Sequence, residues 1–215
     1  MAFKFEDVTL TGWILLAVLI ACAAALFVIA RNKQKWTPQM LANAAICMAL
    51  SFVLSYIRLF KMPQGGSITP ASLLPVLAFA YYYGSVPGLV VGIAYGFLQM
   101  IQDPWIVGAV QAALDYPLAF GCIAFAGVAG DLNRKKGLNE LVSWIGGVTM
   151  VGLGRFICHV LSGVVFFAEY AGEQGALVYS LVYNIGYLGV EAAICCTIAL
   201  VTGMHRLPEL MRRGR

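Results

Sequence analysis

The chain is poor in charge. Asp, Glu, Lys and Arg make up 11% of its 215 residues, and it has two histidines. A soluble domain carries about 25% charged residues, so this composition excludes a water-soluble enzyme, a disordered chain and an ordinary nucleic-acid binder. Catalytic signatures are missing as well. No GxxxxGK[ST] phosphate loop occurs, so the chain cannot hydrolyse ATP alone by that route. HExxH, GxSxG and paired CxxC are absent, which leaves no recognisable nucleophile, metal set or cofactor. The six cysteines (Cys22, Cys47, Cys122, Cys158, Cys195, Cys196) all lie inside apolar runs. They read as small buried hydrophobes and point to no oxidising compartment.

What is present is apolar: 61% of the residues are hydrophobic. A helix crosses the hydrocarbon core in about 20 apolar residues. Seven segments qualify as spans, 10–30, 39–59, 67–83, 86–102, 106–129, 139–168 and 177–203. Pro75 inside the third predicts a kink, tolerable where neighbouring helices satisfy the backbone. The first run differs from a signal peptide, because Glu6 and Asp7 precede it and Arg31, Lys33 and Lys35 follow it. A retained N-terminal helix is expected.

Charge then orients the chain. With 31–38 in the cytoplasm, so are Arg134, Lys135, Lys136, Arg206, Arg212, Arg213 and Arg215, while Lys4, Arg58 and Lys61 fall outside. The expected protein is multi-pass in the cell membrane, N-terminus outside and C-terminus inside.

Close helix contact in lipid depends on small residues. Gly84, Gly88, Gly92 and Gly96 recur every fourth position of the fourth span, which favours plain helix packing. Ala42, Ala45 and Ala49 give the second span a smooth face. It is either an internal contact, which the residues alone favour, or a docking surface.

Ionisable groups at membrane depth are costly and tend to mark function. Four lie there: Asp115, Arg155, His159 and Glu191. Arg155 and His159 share a helix face. Arg155 with Glu191 suits a structural ion pair. Asp115 and His159, with Asn184 and the aromatic set Tyr179, Tyr183 and Tyr187, suit a cavity that opens outward. A carboxylate, an imidazole, an amide and aromatic faces fit a flat, polar, cationic molecule.

Four blocks in order carry a family resemblance. They are Met62-Pro-Gln-Gly-Gly-Ser-Ile-Thr69; Tyr83-Gly-Ser-Val-Pro-Gly-Leu-Val-Val-Gly92 with Tyr95-Gly-Phe-Leu-Gln99; Gln111-Ala-Ala-Leu-Asp-Tyr-Pro-Leu-Ala-Phe120; and Arg155-Phe-Ile-Cys-His159 with Leu161-Ser-Gly163 and Tyr179-Ser-Leu-Val-Tyr-Asn184. Over residues 39–203 the chain resembles the thiamine-specific S-components of energy-coupling factor (ECF) transporters. The resemblance implies an all-α, six-helix membrane bundle over 37–205. The helix in 1–36 is then additional, and 206–215 is a basic cytoplasmic tail. It further implies capture of thiamine from outside, then release inward driven by a transmembrane coupling subunit and two ATPase subunits.

Carried over residue by residue, the resemblance puts Asp115, Tyr116, His159, Tyr179 and Asn184 on the vitamin and Gly163 in the pocket wall. It places Ala45 and Ala49 on the coupling subunit. Relatives have tryptophans after the fifth family helix, where this chain has Phe166, Phe167 and Tyr170. Stacking is therefore expected from Trp105, Phe166 or Phe167. Loop 60–69 is expected to close over the ligand. An S-component for another small vitamin, an intramembrane enzyme using His159 with Asp115 or Glu191, and an assembly protein with merely structural polar pairs are the rival readings.

Overall fold

Six helices and one small hairpin make up residues 35–202, the part of the chain described by this computed structural model. The additional helix expected over 10–30, the basic residues 31–33 and the tail from 206 lie outside the described residues. Helix α1 runs Pro38–Ser55, with Thr37 Oγ1 accepting the Met40 N–H at its start and Pro38 in its first turn, where no N–H is needed. Strands β1 (Phe60–Lys61) and β2 (Ser67–Ile68) pair antiparallel, Phe60 opposite Ile68. Then follow α2 (Leu74–Tyr83), α3 (Ser85–Gln102), α4 (Ala109–Lys136), α5 (Glu140–Phe166), a 3-10 segment Ala168–Gln174, and α6 (Ala176–Thr202).

Among the described residues, five of these helices are long and apolar enough to cross a membrane. The exception corrects the expected span 67–83. Its first residues form β2 and a buried turn, and α2 has only 10 residues, or about 15 Å of helix. Pro75 accordingly does not kink a span. It occupies the first turn of α2, the position proline tolerates best. Short as it is, α2 forms the centre of the bundle: Val76, Leu77, Ala80 and Tyr81 are at most 2% exposed.

The glycine stripe sets how α3 meets α2 and α4. A Cβ on Gly88 would lie 2.8 Å from the Ala80 Cβ, and one on Gly96 would lie 2.7 Å from the Tyr116 carbonyl oxygen. One on Gly92 would overlap the Phe120 carbonyl. Packing is thus the stripe's role, as its spacing predicts, and it brings α3 against the part of α4 that carries Asp115.

The small-residue face of α1 differs from the favoured expectation. Met40, Ala44, Ser51 and Ser55 turn inward, whereas Ala42, Ala45 and Ala49 are exposed on the outer surface. Alanine at every third or fourth position marked a face but not its direction, and the neighbouring Ala44 supplies the internal contact.

Candidate ligand-binding site

Helix α4 is not regular where it matters. Residues Leu114–Leu118, with Pro117 inside, form one π-helical turn between α-helical stretches. Proline offers no N–H to the ladder, and such single π turns recur at functional sites. Here the wide turn carries Asp115 and Tyr116. Asp115 Oδ1 lies 2.9 Å from His159 Nδ1 of α5, and Oδ2 accepts from Ser162 Oγ at 2.8 Å and from Gln111 Nε2 at 2.6 Å. A carboxylate has about four lone-pair sites, so three partners hold it rigidly and leave room for one more. Because the carboxylate accepts, the imidazole Nδ1 carries the hydrogen. His159 Nε2 is buried with no partner in the structure.

These groups line a cavity of about 160 Å³, roughly ten times what one water needs. Asn184, on α6, is 5% exposed; its Nδ2 donates to Ser180 O at 2.8 Å and Ser180 Oγ at 3.2 Å. That leaves the amide oxygen as the end available to a ligand. Gly163 also lines the cavity, and a Cβ there would overlap Ser180 Oγ, so it equally lets α5 approach α6. The floor is the Arg155–Glu191 pair, Nη1 to Oε2 3.2 Å, with both side chains under 10% exposed. The Arg155 guanidinium also rests 4.6 Å from the centre of the Phe120 ring.

Aromatic residues and the hairpin close the other side. Tyr183 accepts the Gln64 N–H at 3.0 Å and donates to Gly65 O at 2.7 Å, and Tyr179 donates to Gln64 Oε1 at 3.0 Å. The turn needs Gly65 and Gly66, at φ +86° and +80°. A Cβ on Gly65 would press on Trp105, and one on Gly66 would sit 3.0 Å from the Tyr187 ring. Trp105, 39% exposed, is at the mouth, its N–H donating to Tyr116 Oη at 2.9 Å. Phe167 is buried in the wall and Tyr170 is exposed. Arg58 and Lys61 both reach Asp103 beside the mouth, at 2.6 and 2.8 Å. Lys61's hydrogen bond, with Arg58's charge, holds the Asp103 carboxyl below the usual carboxylate range.

Of the residues singled out for the vitamin, Asp115, Tyr116, His159, Gly163, Tyr179, Asn184, Trp105 and Phe167 line one cavity, whereas Phe166 is not part of its lining. The sequence reasoning overlooked Gln111, Ser162 and Gln64. Gln111 ties the loop to the carboxylate, its Nε2 also donating to Trp105 O and its Oε1 accepting from the Val107 N–H. Its signal was the four-residue spacing to Asp115, which puts both on one helix face. Ser162 lies three residues past His159, on the same face.

A bundle of long apolar helices around a cavity with a fixed carboxylate, an imidazole and an amide defines a polytopic membrane protein that binds a small polar molecule. Residues 41–211 match the family described as thiamine transporter protein (Thia_YuaJ). The thiamine transporter ThiT of Bacillus subtilis (strain 168) is 31% identical over 193 residues, 86% of this chain and 99% of that protein. The thiamine transporter ThiT of Lacticaseibacillus paracasei (strain ATCC 334) is 26% identical over 161 residues, 68% of this chain and 78% of that one. A solved structure of ThiT from Listeria monocytogenes superposes with a TM-score of 0.61 at 26% identity, covering 78% of this chain and 92% of that chain. The chain belongs to the thiamine transporter protein family, and it is a transporter, not an enzyme.

Proposed function

We propose that this chain is the substrate-capturing S-component of an ECF transporter and that its cavity holds thiamine. The observation that carries the reading is the Asp115–His159 pair, its carboxylate held on a π turn inside a cavity lined by both polar and aromatic groups. Thiamine offers a cationic thiazolium ring and an aminopyrimidine. Asp115 balances the charge or accepts ring-amine hydrogens, while His159 Nε2, Tyr179 and the Asn184 amide oxygen meet the pyrimidine edge. Trp105 and Phe167 stack on a ring. The hairpin turn 62–66 closes over the bound vitamin.

Arg134, Lys135 and Lys136 end α4, and the mouth residues precede its start. Some 28 residues of helix separate them, about 42 Å. The positive-inside rule then turns that basic end to the cytoplasm and the mouth outward, with the C-terminus inside and the N-terminus outside. Residues 37–205 form the binding unit, flanked by segments 1–36 and 206–215. The exposed Ala45 and Ala49 face supports a coupling-subunit contact, since small side chains let another helix approach closely. ATP hydrolysis resides in the two ATPase partners.

The test is uptake of labelled thiamine into vesicles holding this chain and an ECF module. Uptake is expected to require ATP and to be lost in Ala45→Leu/Ala49→Leu, which still binds thiamine. ATP-independent accumulation by the chain alone would contradict the assignment.

A further inference from the structure

The hairpin touches α6 at two depths. Tyr179, Tyr183, Tyr187 and Glu191 recur at four-residue intervals and form one face of that helix. The outer tyrosines hold the turn, at Gln64 and Gly65. The inner contact is different in kind. Glu191 Oε1 accepts from Thr69 Oγ1 at 2.9 Å and from Ser72 Oγ at 3.4 Å, just past β2, while Oε2 meets Arg155. Thr69, Ser72 and Glu191 are 2%, 4% and 5% exposed, whereas Tyr179 and Tyr183 are partly open.

The segment from 69 to 72 is also tightly determined. Thr69 Oγ1 lies 2.8 Å from Ser72 Oγ and accepts the Ser72 N–H at 3.2 Å. Between them Ala71 sits at φ +62°, a left-handed conformation uncommon outside glycine that persists only where its surroundings enforce it. Freeing Thr69 would strip a buried carboxylate of a partner, which is far costlier than breaking a solvent-accessible tyrosine contact.

We propose that Glu191 is a positioning residue for ligand retention: through Thr69 and Ser72 it fixes the base of the hairpin, so that the lid pivots there while only its outer tyrosine contacts open. This rests on the thiamine-capture reading. Arg155, one turn before His159 on α5, ties the same carboxylate to the helix that bears the site.

The test is stopped-flow measurement of thiamine association and of its dissociation in a chase, on full-length protein in detergent. Thr69→Val removes the donor and keeps the shape. Dissociation is expected to accelerate on the order of tenfold, the size of one hydrogen bond to a charged group, with association within twofold of wild type. Thr69→Ser restores the slow rate, and Thr69→Val/Glu191→Gln dissociates no faster than the faster of the two single variants, because they share one bond. An unchanged dissociation rate in a folded Thr69→Val overturns the proposal, as does equal slowing of association and acceleration of dissociation. Wild-type protein that shows no thiamine signal instead overturns the capture reading itself.

Discussion

Alanine at Gly96 perturbs the site through the backbone, without touching any side chain proposed to meet the ligand. Its Cβ would lie 2.7 Å from the Tyr116 carbonyl oxygen and 2.9 Å from Pro117 Cα, where ordinary contact begins at 3.4 Å. Relief requires α3 and the π turn of α4 to separate by roughly 0.7 Å, a gap large enough to forfeit part of the contact energy. Overpacking of this kind costs about 1–3 kcal/mol. The displaced atoms are the backbone of Tyr116 and Pro117, so the strain falls on the turn that aims Asp115 at His159. If most of it appears in binding, thiamine affinity falls about ten- to a hundredfold. Gly146→Ala and Gly186→Ala are the controls, because a Cβ at either meets nothing within 4 Å. Equilibrium titration of all three purified variants, beside their thermal unfolding, reads the outcome. Wild-type affinity in a folded Gly96→Ala would refute the claim that the glycine stripe sets the geometry of the site.

Asp115→Asn keeps the shape but removes the charge, and one of its three hydrogen-bond donors must then face an amide N–H; thiamine binding is expected to weaken by about a hundredfold, consistent with the roughly 1.5–3 kcal/mol of a charged hydrogen bond, and calorimetry checks it. Trp105→Phe is expected to remove most of the ligand-induced change in tryptophan fluorescence while leaving affinity within about tenfold, since Trp105 lines the mouth and Trp144 is 1% exposed in the core. The Asp103 carboxyl is depressed by Lys61 and Arg58, so its tie to the hairpin is fully present above the ordinary carboxylate range, about pH 4, and is lost as pH falls through the lower folded-state value. Thiamine dissociation rates are therefore expected to show no pH dependence from Asp103 between pH 5 and 8, and to rise at lower pH in wild type more than in Asp103→Asn; the effect is small and salt-sensitive, because the pair is partly exposed.

The chemistry of the site was legible because membrane depth makes charge rare. Asp115, Arg155, His159 and Glu191 stand out in apolar runs, and the structure pairs them as Asp115–His159 and Arg155–Glu191. The glycine stripe was legible for a similar reason, since its spacing has few other uses in a span. Direction was harder to read. Ala42, Ala45 and Ala49 show a face, but nothing in their spacing distinguishes inside from outside when lipid and core are equally apolar. The third span was misjudged because β2 and the 69–73 turn are as apolar as a helix start, and tertiary bonds to Glu191 shape them. Gln111 and Ser162 went unseen as ligands of the carboxylate because uncharged polar residues are less conspicuous than ions. The π turn was not legible, because Pro117 alone signals only a break in the helix ladder.

Titration of the purified protein with thiamine, alongside Asp115→Ala and His159→Ala, tests the central claim most directly. Saturable binding at submicromolar thiamine in the wild type, lost in both folded variants, is the predicted result. A flat wild-type titration, or variants that bind as tightly as the wild type, would contradict it.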